Sequence, residues 1–330
     1  MILAGDVGGT NTRLGLFDQS TDRPRQIDVA VFPTLEFRDL EGIVSAFAGD
    51  RRMPLDAAAF GVAGPVIGDS ATLTNVPWRV EGNRIAKTFD IPHVGLLNDL
   101  QAMAYAVPAL APSELRVLQE GTPDHAANLA LIAAGTGLGE AILHYVGGRH
   151  VPVASEGGHA DFPARNEREI DLVRELLRRY GHAEVEHVVS GAGLVNLHRV
   201  THVARPCLAL DDLNLPDAPA VISAAGLERR CIGCIEALNM FVEAYGAEAG
   251  NLALRSVARG GVFVGGGIAP KILPALMDGR FARAFADKAA PFHEMLAAIP
   301  VKVILNDEAG LVGAAIYAAS LITRAGATRR

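Results

Sequence analysis

Cysteine is scarce in this chain: 330 residues carry three, Cys207, Cys231 and Cys234, too few and too clustered for a disulfide framework. Long apolar runs are missing too. No stretch of about 18 apolar residues goes uninterrupted by charge, Gly or Pro, which argues against a membrane-spanning helix. The N-terminus passes straight into Gly5 and Asp6 with no basic leader, so no signal peptide is expected and the cytoplasm is the expected compartment. Positive charge is in deficit: 30 Lys and Arg against 37 Asp and Glu give a formal charge of −7, with no basic run and no helix-turn-helix extension. A nucleic-acid partner held through its phosphates is therefore disfavoured. The chain has no Gly-Lys dipeptide, which excludes a Walker A loop, and Asn196 stands where Gly191-Ala192-Gly193 would need a glycine to complete G-x-G-x-x-G.

What the chain does have is a 50% hydrophobic content, enough for a large core in one or two soluble domains. It also has 35 glycines, several of them in turns that follow short apolar stretches. Residues 5 to 17 set a glycine-rich turn between strands at 2–5 and 13–17, so Gly5, Asp6, Val7, Gly8, Gly9, Thr10 and Asn11 form a candidate phosphate cradle. Gly8 and Gly9 are expected to use backbone angles closed to other residues, while Thr10 and Asn11 supply donors. A carboxylate beside a phosphate repels it unless a cation intervenes, so Asp6 points to Mg²⁺. Taken alone, the loop reads equally well as a tight hairpin turn.

The design recurs. Leu129 to Ala133 leads into Ala134-Gly135-Thr136-Gly137-Leu138-Gly139 and leaves along Glu140 to Tyr145, while Leu97-Asn98-Asp99 is echoed by Leu305-Asn306-Asp307. Two copies of a hairpin-first α/β unit around a cleft would produce both echoes. Further strands are expected at 27–32, 58–62, 71–73, 94–97 and 260–264. Helices are expected at 40–47, 100–106, 167–180, across 224–245, at 270–277 and at 311–324. Within the helix at 167–180, Ile170, Val173, Leu176 and Leu177 form the apolar face. Cys231 and Cys234 read as small core-facing residues of the 224–245 helix, because no second pair completes four zinc ligands. A boundary near 110 divides a small domain, 1–110 completed by about 305–330, from a larger one at 111–304.

Four glycine turns at strand ends, 5–11, 135–139, 191–193 and 265–267, favour a nucleotide. Asp99, at a strand-to-helix turn, suits a general base for a hydroxyl acceptor, as Asp307 does by the same argument, while a lone Asp at such a turn is more often the N-cap of the helix that follows. Glu156 and His159, three apart around Gly157-Gly158, can address vicinal sugar hydroxyls, although a lone His is more often structural. Glu186 by itself is indistinguishable from a solvated charge. Trp78, in the loop from Thr74, is evenly a lid anchor or a packed aromatic.

Together Gly5 to Asn11, Asn75-Val76-Pro77-Trp78, Asn98-Asp99, Gly135 to Gly139, Glu156 to His159, Ser190 to Leu194 and Gly265-Gly266-Gly267-Ile268 resemble bacterial glucokinases of the proteobacterial type, in order from residue 3 to about 317. The resemblance implies the two-domain α/β actin-like ATPase (ribonuclease H-like) fold with an interdomain cleft, shared with hexokinases. It implies transfer of the ATP γ-phosphoryl to the 6-hydroxyl of glucose, the first step of glycolysis. By resemblance Asp99 is the base; Asn75, Asn98, Asp99, Glu156, His159 and Glu186 contact glucose. Gly5 to Asn11 and Gly135, Thr136, Gly137 and Gly139 hold the phosphates, Gly265, Gly266 and Gly267 lie against adenosine, and Asp6 faces Mg²⁺. A homodimer is implied as well. Glu140 departs from the family's apolar or small residue and would be costly near phosphate unless it points away. The cysteine-rich zinc segment and DNA-binding extension of distant repressor-like relatives are absent. The alternatives are a kinase for another hexose or N-acetyl amino sugar, and a sugar sensor that has lost catalysis.

Overall fold

A computed structural model describes residues 1–19, 23–49, 54–73, 76–203 and 206–328, the last five by backbone alone. The chain divides into two compact units, Met1–Ala111 with Asn306–Arg330, and Pro112–Leu305.

The first unit opens on strands β1 (Ile2–Val7), β2 (Asn11–Phe17) and β3 (Gln26–Pro33), then helix α1 (Leu40–Ala48) and β4 (Ala57–Val62). A small antiparallel sheet follows, of β5 (Val66–Ile67), β6 (Ser70–Thr72) and β7 (Arg79–Glu81), then α2 (Gly82–Phe89), β8 (Val94–Asn98) and α3 (Asp99–Ala106). The main sheet runs β3-β2-β1-β4-β8, antiparallel through the hairpin and parallel beyond β1. Alternation along β1 sorts its side chains. Leu3 and Val7 join a core with Leu40, Ile43 and Trp78, whereas Ile2 and Ala4 face Ala102 and the C-terminal helix, Ala309–Thr328. Trp78 is thus a core residue. The C-terminal helix lies tight on α3 because Gly313 has no Cβ; one there would overlap the Ala102 carbonyl.

The second unit repeats the plan. Its strands are β9 (Leu115–Gln119), β10 (Leu129–Ala134), β11 (Leu138–Val146), β12 (Arg149–Ser155), β13 (Gly261–Gly265) and β14 (Val301–Ile304). Its helices are α4 (Glu167–Tyr180), α5 (Gly191–Thr201), α6 (Ala218–Leu227), α7 (Ile232–Ser256), α8 (Leu273–Leu276), α9 (Arg280–Ala286) and α10 (Phe292–Ala297). The sheet order β12-β11-β10-β13-β14 reproduces β3-β2-β1-β4-β8 strand for strand, with β9 added antiparallel to β14. Both echoes in the sequence therefore reflect one repeated topology.

Three local expectations fail. The stretch 224–245 is two helices: Arg229 takes a positive φ of 58° and Cys231 caps α7, in a segment without Gly or Pro to mark the break. Pro270 lies in a turn, and only Leu273–Leu276 is helical there. In α4 the buried stripe is Glu169, Leu172 and Leu176, leaving Leu177 50% exposed.

Candidate active site

In the first unit the glycine turn joins β1 to β2 through Gly8-Gly9-Thr10, while Gly5, Asp6 and Val7 still lie in the β1 ladder. The Gly8 N–H donates to the Asn11 carbonyl at 3.0 Å, and Thr34 braces the turn, its N–H donating to the Thr10 carbonyl at 2.9 Å and its hydroxyl to that of Gly8 at 2.8 Å. Neither Gly8 nor Gly9 has a positive φ, contrary to the expectation for this loop. Glycine here answers crowding: a Cβ at Gly8 would stand 2.9 Å from the Asn11 carbonyl oxygen, and one at Gly5 2.5 Å from the Phe60 ring. Val7 is fully buried, so its side chain belongs to the core. Thr10 and Asn11 are exposed.

Asn98 ends β8 and Asp99 begins α3. The capping role falls to Asn98, whose Oδ1 accepts the N–H of Leu100 at 3.0 Å and of Gln101 at 3.4 Å. Asp99 is exposed; its Oδ1 accepts the Leu100 N–H at 2.8 Å. Asp6 shares this corner. Burial, with the Asp99 charge adding to it, pushes the Asp6 carboxyl up to about 6 against the pull of Arg13. Gly310 opens the C-terminal helix beside it, where a Cβ would lie 3.3 Å from Asp6 Oδ2. Asn75 lies outside the described residues.

In the second unit one residue, Glu186, ties three motifs together through its carboxylate and its backbone. Glu186 Oε2 accepts the Leu138 N–H at 2.8 Å beside the Gly135 to Gly139 turn, and the Glu186 N–H donates to the Gly158 carbonyl at 2.8 Å. The Glu186 carbonyl accepts the hydroxyl of Ser190 at 2.7 Å, and that oxygen caps α5 by accepting the Gly193 N–H at 3.0 Å. Gly137 is required: a Cβ would come 2.5 Å from Glu186 Oε2. Thr136 is exposed at the tip of the turn, and Gly139 lies in the β10–β11 ladder opposite Ala133. Gly265 ends β13, and Gly266 takes φ 81° with its missing Cβ against the Ala134 carbonyl, so the 265–267 turn stacks onto the end of β10. Gly267 is open to solvent.

Glu156 and His159 are both exposed on the short turn after β12. His159 Nδ1 lies 2.9 Å from Glu184 Oε2, whose other oxygen lies 2.7 Å from His182 Nε2. The hydrogen bond to Glu184 raises the His159 pKa, and desolvation opposes it. Glu184 was invisible in the sequence, being one surface-type charge among many. Tyr245 was also missed, although a tyrosine within an apolar helix is a recognisable signal. Its buried hydroxyl accepts the Ala134 N–H at 3.1 Å and donates to the Gly265 carbonyl at 3.2 Å, fixing the strand ends below two of the glycine turns. Glu140 does not face the turn: its carboxyl is buried beneath Gly157, where a Cβ would strike it.

A hairpin-first sheet repeated in two units, with glycine turns at the strand ends, defines a protein of the two-domain actin-like ATPase fold. A crystal structure of a glucokinase from an Antarctic psychrotroph aligns with a TM-score of 0.86 at 30% identity, covering 97% of this chain and 98% of that one. A ROK-family glucokinase from Streptomyces griseus, solved with glucose and AMPPNP, shares the fold at a TM-score of 0.64 and 24% identity, with 97% and 99% covered. The glucokinase of Nostoc punctiforme is 37% identical over 340 residues, 97% of this chain and 99% of that protein. The sequence profile of the glucokinase family matches residues 3–321. The chain belongs to the glucokinase family.

Proposed function

We propose that this enzyme transfers the γ-phosphoryl group of ATP to the 6-hydroxyl of D-glucose with Asp99 as general base. The observation that carries the assignment is the division of labour at the end of β8. Asn98 caps α3 through the Leu100 and Gln101 N–H groups, so the fold does not rely on Asp99 alone there, and the Asp99 carboxylate, whose Oδ1 shares the Leu100 N–H, is exposed at the same turn. A sugar hydroxyl is a weak nucleophile, and a carboxylate within hydrogen-bond reach takes its proton as the bond to phosphorus forms. Asn98, Glu156, His159 and Glu186, with Asn75, orient the sugar. Glu186 suits this because one of its oxygens is already anchored on the Leu138 N–H. His159, held by Glu184 and shifted toward its protonated form, is a hydrogen-bond donor to a hydroxyl. The turns Gly5 to Asn11 and Gly135 to Gly139 take the phosphates, and Gly265 to Gly267 takes the adenosine.

The donor set in the first unit fits Mg²⁺. Asp6 offers a hard oxygen with a second carboxylate, Asp99, as its neighbour; burial first and the Asp99 charge second raise the cost of its ionised form, a cost that a cation would offset. When bound, the ion would offset charge on the phosphates. The family resemblance extends the proposal to a homodimer acting in the cytoplasm; among the described residues no helix is long and apolar enough to cross a membrane.

Replacing Asp99 by Asn keeps size and polarity but removes the base. Glucose phosphorylation should fall by about 10²- to 10⁴-fold while the fold and ATP binding persist. A folded Asp99→Asn protein working at near the parent rate would refute the assignment.

A further inference from the structure

All three cysteines of the chain, 207, 231 and 234, converge on one point of the second unit with two histidines. Cys231 caps α7 and Cys234 sits in its first turn; Cys207 comes from the segment after α5, and His202 is the residue that ends α5. Cys207 Sγ lies 3.7 Å from Cys234 Sγ and 4.0 Å from Cys231 Sγ, and His202 Nε2 lies 3.2 Å from Cys231 Sγ. None of the three is in a disulfide. A tetrahedral zinc with bonds of about 2.3 Å to sulfur and about 2.0–2.1 Å to nitrogen has edges of about 3.8 Å between sulfurs and about 3.5 Å between sulfur and nitrogen. The two sulfur–sulfur spacings, 3.7 and 4.0 Å, lie on either side of the first edge, and the sulfur–nitrogen spacing of 3.2 Å is slightly shorter than the second.

The surroundings point the same way. His202 Nδ1 donates to the His198 carbonyl at 2.9 Å, which leaves the lone pair on Nε2, the atom turned to the sulfurs. The ring lies directly over Gly233, within the Cys231-Ile232-Gly233-Cys234 sequence, where a Cβ would be 2.5 Å from Nε2. Cys207 Sγ accepts the Ala209 N–H at 3.4 Å. His198 is only 4% exposed, stacks on His202 at 3.6 Å between ring centres, and has no hydrogen-bond partner on either ring nitrogen. Its nitrogen falls within 4.8 Å of the donor atoms of His202, Cys207 and Cys234. A core of small apolar residues would not seat two imidazoles, one of them unsatisfied, against three thiols.

We propose that Cys207, Cys231, Cys234 and His202 bind one Zn²⁺ as a closed structural site. Four protein donors leave no open position, so the role is to fasten the segment around Cys207 and the end of α5 to the start of α7. Binding displaces the three thiol protons, and affinity therefore rises with pH. The sequence hid the site because the ligands are spread over 202–234 and become four only after the α6–α7 break brings Cys231 to a helix start.

The test uses the full-length protein purified without chelator. Elemental analysis should find about one zinc per chain, and Co²⁺ exchanged into the chelator-treated protein should show the intense visible bands of a tetrahedral ion with thiolate charge transfer. Cys207→Ser and Cys231→Ser should each lower the zinc content below one per chain, and Co²⁺ still held by either variant should show about a third less charge-transfer absorbance per ion, one of three thiolates being lost. Absence of zinc together with an octahedral Co²⁺ spectrum would overturn the proposal. So would a Cys207–Cys234 disulfide found by mass spectrometry in the native protein, or a charge-transfer band unchanged in Cys231→Ser. The wild-type Co²⁺ spectrum decides the matter even where a serine variant fails to fold.

Discussion

Glu140 shows how far a single residue can depart from its expected charge. It sits in β11 directly after Gly139, yet it is 1% exposed. Burial first, and the Glu248 charge second, hold it above the usual carboxyl range, while Arg255, paired with Glu248, opposes them. A carboxyl whose pKa is raised on folding contributes stability that is complete below its ordinary value of 4.5 and is lost as pH climbs through the raised one. Denaturant midpoints measured from about pH 5 to about pH 9 should therefore fall more steeply in the parent than in Glu140→Gln, whose amide does not titrate. Parallel curves would contradict the account. At this scale the strand-to-helix turn at Asn98-Asp99 was legible from local residue types, although the cap is Asn98 and not Asp99. The sequence was silent on Glu184 and on the Glu186 bond to Leu138, because those partners are fixed only by packing.

Among the elements, the hairpins were the most legible feature, since glycine-bearing turns between short apolar strands carry their own signal. The repeat of that plan followed from them, and the two sheets share one strand order. Helix interruptions were less legible. The split between α6 and α7 depends on Arg229 in a left-handed conformation, which no residue type in Leu227 to Cys231 announces. Close helix packing was hidden too: Gly313 reads as an unfavourable glycine inside a helix, but it is the point at which α3 meets the C-terminal helix. Gly313→Val should lower stability by about 1–3 kcal/mol through overpacking despite its better helix propensity, as a reduced urea midpoint. An unchanged or raised midpoint would show that the two helices separate at little cost.

For the molecule as a whole, the order of motifs from Gly5 to Gly267 made the family readable, because no one of them is specific and their succession is. The finer question is which sugar the enzyme accepts. Pocket hydrogen bonds decide it, and the proposed sugar contacts, Asn75, Asn98, Glu156, His159 and Glu186, would supply only part of that set. The decisive measurement is steady-state ADP release by the purified protein with ATP and Mg²⁺ across a panel of hexoses and N-acetyl amino sugars. Glucose should give the highest kcat/KM, with glucose 6-phosphate as the product; a strong preference for N-acetylmannosamine, or glucose binding without turnover, would contradict the account.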